Sequence, residues 1–244
     1  MRLKEHYDEG FYRTQKAGSL ISAERVLSKL APVLGDLKSA VDIGCGVGGW
    51  LKVLSDCYPG IAVAGVDHPD VPDSELFIDK TDFHGHDLSQ SLDLGRRFDI
   101  AVTLEVIEHI DEQYADIFVD NLARHSDLIL FSAATPRQGG TNHVNEQWPS
   151  YWCAKMSARG YKAHDIIRPL IWEDDDIEYW YRQNMLLFAK DGRWENTRRL
   201  EDWKARAFVH PDSWMLATHP RPPFSKRLAR RITPGWISKV SAKP

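Results

Sequence analysis

The sequence predicts an α/β protein whose core is a doubly wound, mostly parallel sheet. Short apolar runs that are typical of buried strands alternate along residues 19–190 with segments of helical spacing. A glycine-rich turn, residues 44–49, joins the first of these runs to a helix. Strands that alternate with helices form parallel sheets, and such sheets bind ligands at the carboxyl ends of their strands.

The first elements form a unit of strand, glycine turn and helix. Residues 19–34 place apolar side chains at steps of three and four, which predicts an amphipathic helix that ends near Pro32 or Gly35. Residues 40–43 are a short apolar run that leads into the glycines, and helical spacing resumes over 50–55. The run before the glycines is therefore expected to be a buried strand.

The rest of the chain continues this alternation. We expect further strands near 61–66, 83–87, 98–103, 127–132, 161–168 and 184–190, and helices near 111–123 and 149–159. An insertion rich in tryptophan and acidic residues, 169–182, separates the last two strands.

The chain is long enough for one catalytic domain with a small appendage, since it has 244 residues of which 43% are hydrophobic. We place the domain at 1–191 and a basic C-terminal extension, called the arm, at 192–244, where twelve Lys and Arg residues stand against four acids. Its prolines predict that the final 30 residues are extended or loosely packed. The arm carries +8 and the domain −12, so anionic lipid headgroups or a phosphate-bearing carrier would meet the arm first. A solvated or oligomer-contacting arm is the alternative. Nucleic acid is not expected as a partner, because the acidic domain repels phosphates.

Composition also bears on compartment and metal content. No apolar stretch approaches the roughly 18 residues of a membrane helix, and no apolar run like that of a signal peptide follows the charged start at residues 1–6. We therefore expect a cytoplasmic protein. Cys45, Cys57 and Cys153 lack paired spacing, so we expect neither a disulfide framework nor a bound metal.

Three segments carry the candidate chemistry. The first, VDIGCGVGGW at 41–50, has glycines whose spacing makes a tight turn and lets the backbone and a helix amino terminus approach a ligand. Dinucleotide-binding enzymes share this spacing, so the glycines alone do not identify the cofactor. The second segment is GVDHP at 65–69, in which a predicted strand is followed by the carboxylate of Asp67. The third is FDIAVTLEVIEHI at 98–110, in which a predicted strand is followed by two glutamates and a histidine.

In this order, the three segments resemble the first, second and fourth motifs of the class I S-adenosylmethionine-dependent methyltransferase family. The resemblance covers roughly residues 10–190. It implies a Rossmann-like sheet of seven strands whose last strand, 184–190, is antiparallel. It also implies S-adenosylmethionine as the methyl donor and S-adenosylhomocysteine as the product.

The resemblance further implies which residues hold the cofactor. Asp67 is expected to bind the ribose hydroxyls, and Asp87 with Leu88 is expected to hold the adenine. The amino group of adenine can donate a hydrogen bond to a carboxylate such as that of Asp87. Asp42 is placed to face the cationic end of the amino-acid moiety, and Asp82 is the rival of Asp87. The expected cofactor residues are Asp42, Gly44, Cys45, Gly46, Gly48, Asp67, His68, Asp87, Leu88, Glu105 and His109.

The acceptor site is expected in the loop at 134–152, which follows the fifth strand and is dense in polar and aromatic groups. Methyl transfer to a hydroxyl requires removal of its proton near the moment of attack. His143 is the preferred base, because an unperturbed imidazole titrates near pH ~6.5. Glu146 is a second base or orients His143, and His109 is a third candidate that otherwise supports the pocket. The alternative for His143 and Asn145 is that they close a surface turn.

The insertion favours a sugar as the acceptor. Its aromatic residues are interleaved with carboxylates and amides over 171–184, and sugar rings stack their C–H faces on aromatic rings while their hydroxyls bind polar groups. Together with the acceptor loop, this segment resembles methyltransferases associated with bacterial glycan assembly. The residues expected to bind the acceptor are Asn145, Trp148, Tyr151, Trp172, Tyr181 and Arg182. The alternative for the insertion's aromatic residues is a place in the core, and the acids at 173–176 are expected to be a solvated loop rather than a cation site.

These features predict an O-methyltransferase that acts on a hydroxyl of a saccharide or glycoconjugate. One alternative is a methyltransferase of another small molecule, such as a quinone, lipid or amine. The other is a non-catalytic, cofactor-binding partner in a glycan-assembly complex. An amine acceptor needs no strong base, so the dependence of turnover on His143 separates the first alternative from the prediction.

Overall fold

The strand order confirms the predicted fold class. The computed structural model describes residues 9–190 and 209–218. Its strands are β1 Ser39–Ile43, β2 Ala62–Asp67, β3 Phe83–Gly85, β4 Ile100–Leu104, β5 Leu128–Ser132, β6 Tyr161–His164 and β7 Leu186–Lys190. They form a seven-stranded sheet in the order β3-β2-β1-β4-β5-β7-β6. The pairs from β3 to β5 are parallel, whereas β7 is antiparallel to both of its neighbours.

Helices connect most of these strands and cover both faces of the sheet. The described helices are α1 Glu9–Leu34, α2 Gly49–Cys57, α3 Ala115–His125, α4 Pro149–Ser157, α5 Arg168–Ile171, α6 Tyr179–Asn184 and α7 Pro211–Thr218. The predicted helices correspond to α1 through α4, and α1 begins ten residues before its predicted start. None of the helices in the described residues is both long and apolar enough to cross a membrane.

Side chains of the central strands alternate between two cores, one on each face of the sheet. On β5, Leu128 and Leu130 pack in the core that includes α1 and α2. Ile129 and Phe131 pack in the opposite core, which includes α3 and α4. Because both faces are covered, the strand is apolar at successive positions rather than at alternate ones. This double packing fixes the carboxyl ends of the strands, where ligands of such sheets bind.

The predicted boundaries of the two strands that flank the insertion were wrong. The predicted sixth strand ends early, at His164, because Arg168 opens α5 and its buried Nε donates to Asp165 Oδ1 at 2.7 Å. The last strand begins at Leu186, since Asn184 ends α6 and directs its side chain into a polar network. Both boundaries are set by contacts between residues of different elements rather than by local pattern.

The described part of the predicted basic arm packs against the insertion between β6 and β7. Arg182 Nη2 donates to Asp212 Oδ2 at 2.8 Å, and Gln183 Oε1 accepts from the backbone N–H of His210 at 2.8 Å. These contacts hold α7 on the domain. Residues 211–218 of the arm form a helix, so the part of the final 30 residues that the structure describes, 215–218, is not extended.

The remaining residues of the arm, 192–208 and 219–244, lie outside the described residues. They include all twelve of its Lys and Arg residues. The boundary between domain and arm, and the arm's anionic partners, therefore stay predictions.

Candidate active site

The glycine turn after β1 is fixed by its own backbone bonds and by a close neighbour. The N–H groups of Gly44 and Cys45 both donate to the Val66 carbonyl, at 2.8 and 3.1 Å. Gly44 has φ 92°, which favours glycine. A Cβ at this position would lie 2.4 Å from both γ-carbons of Val106. A side chain here would thus clash with the turn that follows β4.

Asp67 connects the end of β2 to the glycine turn. Its Oδ2 accepts from the Gly46 N–H at 2.6 Å, and its Oδ1 accepts from the His68 N–H at 2.6 Å. Burial raises the pKa of Asp67, although these two backbone hydrogen bonds act to lower it. Gly46 has nothing within 4 Å of where a Cβ would stand, so open space adjoins the carboxylate and the turn. This arrangement fits a ribose, whose hydroxyls can donate to a fixed carboxylate.

Asp42 lies on β1 just before the turn and is only 3% exposed. Burial, and then the neighbouring Asp67 carboxylate, raise the pKa of Asp42 well above its usual range. A cation close to this carboxylate would offset both effects and favour its ionised form. Asp42 is thus compatible with a cationic partner, and its role toward the ammonium group of an amino-acid moiety stays a prediction.

The other turn residues have plainer surroundings. Cys45 is buried, and burial raises the pKa of its thiol well above the usual range, so it is a packing residue rather than a nucleophile. His68 is exposed, and its Nδ1 accepts from the Asp70 N–H at 3.3 Å. Gly48 has φ 83° and packs against the side chain of Ile78.

The candidate adenine residues lie just beyond β3, which pairs with the end of β2. Asp87 is exposed, and its Oδ1 accepts from the backbone N–H of Ser89 at 3.0 Å and from its hydroxyl at 2.7 Å. The hydrogen bonds from Ser89 lower the pKa of Asp87. Leu88 packs against the core, while the rival Asp82 lies at the end of a short 3₁₀ turn. The assignment of the adenine to Asp87 stays a prediction.

Glu105 follows β4 in a strained backbone conformation. Its φ is 55°, which costs a residue other than glycine about 1–3 kcal/mol. Its N–H donates to both the carbonyl and the hydroxyl of Ser132 at 3.1 Å. Its carboxylate accepts from Asn184 Nδ2 at 3.0 Å and from Gln138 Nε2 at 2.8 Å. Burial raises the pKa of Glu105 in spite of these hydrogen bonds.

The amides around Glu105 form a network that the sequence patterns did not predict. Gln138 Oε1 accepts from Asn184 Nδ2 at 2.8 Å, and Gln183 Nε2 donates to Thr135 Oγ1 at 2.9 Å. These residues come from the acceptor loop and from α6. Their only sequence signal is their polarity beside apolar strands, which does not reveal that the two segments meet.

His143 and Glu146 form a hydrogen-bonded pair in the acceptor loop. His143 Nδ1 lies 2.9 Å from Glu146 Oε1, and the His143 side chain is 12% exposed. Glu146 is itself held by the loop backbone, since its Oε2 accepts from the Arg137 N–H at 2.6 Å and its Oε1 from the Gly139 N–H at 3.1 Å. Because a carboxylate accepts at Nδ1–H, the neutral ring carries its lone pair on Nε2.

The turn after β4 meets this pair through His109 and Glu108. The rings of His109 and His143 are 4.9 Å apart between centroids and nearly perpendicular, at 83°. Burial, and then the neighbouring His143, lower the pKa of His109. The backbone carbonyl of Glu108 accepts from the N–H groups of Val144 at 2.8 Å and Asn145 at 3.1 Å. These bonds tie the acceptor loop to the cofactor side of the site.

Glu108 lies within the third motif, just past β4, where the sequence predicts that it stands with Glu105 and His109 on the rim of the cofactor pocket. It is 0% exposed, and within the described part of the chain no side chain donates a hydrogen bond to its carboxyl oxygens, which are approached by the backbone N–H groups of Glu108 and Ala134. Burial, and then the Glu105 carboxylate, raise the pKa of Glu108 well above its usual range. One ligand atom from each of Glu108, His109 and His143 lies within 4.8 Å of the others.

The predicted acceptor residues of the loop differ in exposure. Trp148 is 42% exposed. Asn145 is buried; its Oδ1 accepts from Gln147 Nε2 at 3.2 Å, while its Nδ2 has no hydrogen-bond partner among the described residues. Tyr151 lies on α4, where its ring contacts Trp152 edge to face. The acceptor loop thus offers an exposed ring and an amide donor.

The predicted acceptor residues of the insertion make contacts inside the protein. Tyr181 is buried and packs against Trp50, with ring centroids 5.3 Å apart. The Trp172 ring lies 4.6 Å from that of His210. Arg182 is buried and binds carboxylates of the insertion and of α7. These three residues thus have a structural role in holding the insertion and α7 on the domain. Their role in acceptor binding stays a prediction.

The acids of the insertion are used in ion pairs. Asp174 lies 2.9 Å from Lys29 Nζ and 3.2 Å from an Arg25 nitrogen, and Asp176 lies 2.7 Å from Arg25. Lys29 is the first cause of a lowered pKa at Asp174. Asp174 and Asp176 thus bind the segment to α1 instead of forming a solvated loop, and the absence of a cation site there stays a prediction.

Comparisons with known proteins agree with this geometry. The sequence matches the family model described as a methyltransferase domain over residues 12–166. Comparison with curated proteins gave no match. Among solved structures, magnesium protoporphyrin IX methyltransferase from Synechocystis PCC 6803 with bound SAM aligns at 18% identity and a TM-score of 0.53, over 76% of this chain and 86% of that one.

Two further solved structures share the fold. DesVI from Streptomyces venezuelae aligns at 12% identity and a TM-score of 0.56, over 76% of this chain and 99% of that one. An O-methyltransferase family protein from Burkholderia thailandensis aligns at 13% identity and a TM-score of 0.51, over 74% of this chain. The aligned region spans 57% of that protein. At these identities, the likeness concerns the fold.

The family match covers more than half of the chain and includes the glycine turn, Asp67 and the turn after β4. The open space at Gly46, the fixed Asp67 carboxylate and the buried Asp42 fit the ribose and the amino-acid end of S-adenosylmethionine. The chain therefore belongs to the methyltransferase-domain family, as a methyltransferase whose cofactor is S-adenosylmethionine.

Proposed function

We propose that the protein methylates a hydroxyl group of a saccharide or glycoconjugate. The observation that carries this proposal is the bond of 2.9 Å between His143 Nδ1 and Glu146 Oε1, in the loop after β5. A hydroxyl is a poor nucleophile until its proton is removed, and an imidazole held by a carboxylate is a suitable group to activate it. When bound, S-adenosylmethionine supplies an electrophilic methyl group.

The cofactor side of the site would be held by residues of the first three strands. Asp67 and the Gly46 backbone suit the ribose, and Asp42 suits the ammonium group. Asp87, with Leu88, is proposed to hold the adenine. Glu105, fixed by amides from two other segments, stabilises the turn between the cofactor side and the acceptor loop.

The acceptor side would be organised by His143. Its Nδ1 is bound to Glu146, so its Nε2 is the atom available to the acceptor hydroxyl. In the simplest form of the reaction, Nε2 takes the hydroxyl proton and Glu146 stabilises the resulting imidazolium. The perpendicular ring of His109 keeps the imidazole in this orientation.

The saccharide class is supported by the groups around His143. The exposed ring of Trp148 can stack on the C–H face of a sugar. The Asn145 amide nitrogen has no partner among the described residues, but it is buried and would donate to an acceptor hydroxyl only after the loop moves. Transfer to oxygen is also the chemistry of the O-methyltransferase family, to which the similar Burkholderia thailandensis protein belongs. An acceptor with an apolar ring, such as a quinone, is the second candidate, favoured by the exposure of Val144 at 58% near Trp148.

The test is methyl transfer from labelled S-adenosylmethionine to separated extracts of glycans, lipids and small metabolites of the host. We expect label in the glycan fraction, with the methyl group on oxygen. We expect His143→Ala to lower kcat by about 10²–10⁴-fold, the usual contribution of a general base, while calorimetry shows unchanged S-adenosylmethionine binding. Label in the lipid or quinone fraction alone would replace the saccharide by the second candidate. Label on nitrogen, with turnover independent of His143, would exclude O-methylation.

A further inference from the structure

The buried carboxylate of Glu108 has no counter-charge in the described residues that contact it. It is 0% exposed, and the charged groups that raise its pKa, Glu105 and then Glu146, are also acidic. No side-chain donor among the described residues pairs with either oxygen, and only the backbone N–H groups of Glu108 and Ala134 approach closely enough to lower its pKa. A buried carboxylate in such surroundings is costly unless a cation accompanies it. The surroundings of Glu108 therefore suit a bound cation.

Two imidazoles complete a set of ligands around this carboxylate. One atom each from Glu108, His109 and His143 lies within 4.8 Å of the others. Two ligands of one ion, each at about 2.1 Å from it, stand at most ~4.2 Å apart, so small rotations of the side chains close the set. From these contacts we propose that Glu108, His109 and His143 bind a divalent transition-metal ion at the acceptor side of the site.

The surroundings of His143 are those of a metal ligand. Its Nδ1 is bound to Glu146 at 2.9 Å, which leaves Nε2 for an ion and orients the ring, as carboxylates do for metal-bound histidines. Nε2 of His143 packs against Gly140. A Cβ atom on residue 140 would lie 2.1 Å from Nε2, so only glycine at this position leaves room for the imidazole ring. Hydrogen bonds from Val144 and Asn145 to the Glu108 carbonyl hold the two ligand segments together.

The donor set selects the class of ion. One carboxylate oxygen and two imidazole nitrogens suit Zn²⁺, Co²⁺, Mn²⁺ or Fe²⁺, whereas Mg²⁺ and Ca²⁺ prefer oxygen ligands alone. Three protein ligands leave positions open for a further molecule. The expectation of no bound metal rested on the cysteines, which take no part in this site.

The role of the ion rests on the proposed function. An open position would accept the acceptor hydroxyl and lower its pKa, so that the proton leaves to solvent water. His143 would then activate the hydroxyl through the ion instead of taking the proton itself. If Nε2 of His143 binds the ion, it cannot also take the hydroxyl proton as a base. The metal mechanism is sensitive to chelators, whereas the base mechanism is not.

The test of binding uses the full-length protein, stripped with a chelator and titrated with Zn²⁺ or Co²⁺ in equilibrium dialysis. We expect one equivalent of metal per chain and, with Co²⁺, visible absorption typical of nitrogen and oxygen ligands. Glu108→Gln and His143→Ala should each weaken binding at least tenfold. Glu173→Gln, which removes an acid of the insertion, is the matched control and should bind normally. Metal should raise the melting temperature of the wild type but not that of Glu108→Gln.

The outcomes separate this inference from the proposed function. The metal site would be overturned if the wild-type protein binds no metal. It would also be overturned if the Glu108→Gln and His143→Ala variants bind metal as tightly as the wild type. Undiminished methylation in the presence of chelator would also overturn it and would leave the proposed function intact. If the protein binds metal but methylates no saccharide, the metal site stands and the proposed saccharide acceptor is excluded. If Glu108→Gln fails to fold, as judged by S-adenosylmethionine binding, His109→Ala tests the same ligand set.

Discussion

His143 and Glu108 lie close together but differ in their hydrogen bonding. The imidazole is held through Nδ1 by Glu146, whereas no side chain among the described residues donates to the Glu108 carboxylate. The first arrangement fixes a ring and leaves one nitrogen for a ligand. The second leaves a buried carboxylate that only backbone N–H groups stabilise. These two residues are therefore the most informative positions for testing the proposed acceptor chemistry.

Asp67 gives the sharpest prediction for cofactor binding. We expect Asp67→Asn to weaken S-adenosylmethionine binding about 10- to 100-fold, because a hydrogen bond to a charged group contributes ~1.5–3 kcal/mol. The amide cannot accept at both positions, so either the Gly46 N–H or the ligand loses its acceptor. Isothermal calorimetry measures the change.

The control for this variant is Asp70→Asn, three residues further along the chain. The Asp70 side chain is 74% exposed, so its replacement should leave the affinity within twofold. Equal affinities of wild type and Asp67→Asn would mean that the ribose does not bind at this carboxylate.

Residues of the cofactor side could be predicted from sequence, while those of the acceptor side could be predicted only in part. Asp42 and Asp67 lie at fixed distances from the glycines, so their places follow from local pattern. His143 and Glu146 are three residues apart, which allows a pair but does not require one. The isolation of Glu108 depends on how the acceptor loop packs over it, and no local pattern carries that information.

At the scale of elements, α7 is held on the domain mainly by polar contacts. We expect Asp212→Ala to increase amide hydrogen exchange in α7, because it removes the ion pair of 2.8 Å with Arg182. The free energy of unfolding should fall by less than ~1 kcal/mol, since Asp212 is half exposed. Exchange mass spectrometry and urea denaturation measure the two effects.

Asp175→Ala provides a matched comparison, because Asp175 is the other carboxylate partner of Arg182. It lies in the insertion and is 94% exposed on its side chain, so exchange in α7 should stay near that of the wild type. Equal exchange in α7 after both substitutions would show that its attachment does not depend on the ion pair with Asp212.

Most elements could be predicted because each has a local signature. The continuous apolar run of β5 reflects a strand that is buried on both faces. The spacing of three and four between apolar residues in α1 reflects a helix that is buried on one face. The end of β6 could not be predicted in this way. Arg168 continues a polar and apolar pattern that is compatible with a strand, and only its buried pair with Asp165 shows that a helix starts there.

At the scale of the whole molecule, buried acids make stability depend on pH. Burial, and then Asp67, raise the pKa of Asp42 above its usual value of 3.8. The cofactor-free folded state therefore keeps a proton that the unfolded state releases. Above pH 3.8, stability falls as the pH rises toward the folded-state pKa of Asp42.

We expect Asp42→Asn to remove this decline, because the amide has no proton to lose. In urea denaturation without cofactor, the free energy of unfolding of the variant relative to wild type should increase as the pH rises from about 4 to about 8. Asp70→Asn should show no such trend. A difference between Asp42→Asn and wild type that is constant with pH would contradict the raised pKa.

The antiparallel course of β7 has a consequence for which changes in length the sheet can tolerate. Because His164 pairs with Leu187, the segment 165–185 leaves and re-enters the sheet at the same end. Its buried contacts, such as the packing of Tyr181 on Trp50 and the bond from Asn184 to Glu105, tie parts of it to the domain. Residues can therefore be inserted between these contacts at a cost of only ~0.6 kcal/mol in closure entropy per doubling of an exposed loop, while the strands that carry the cofactor residues keep their register.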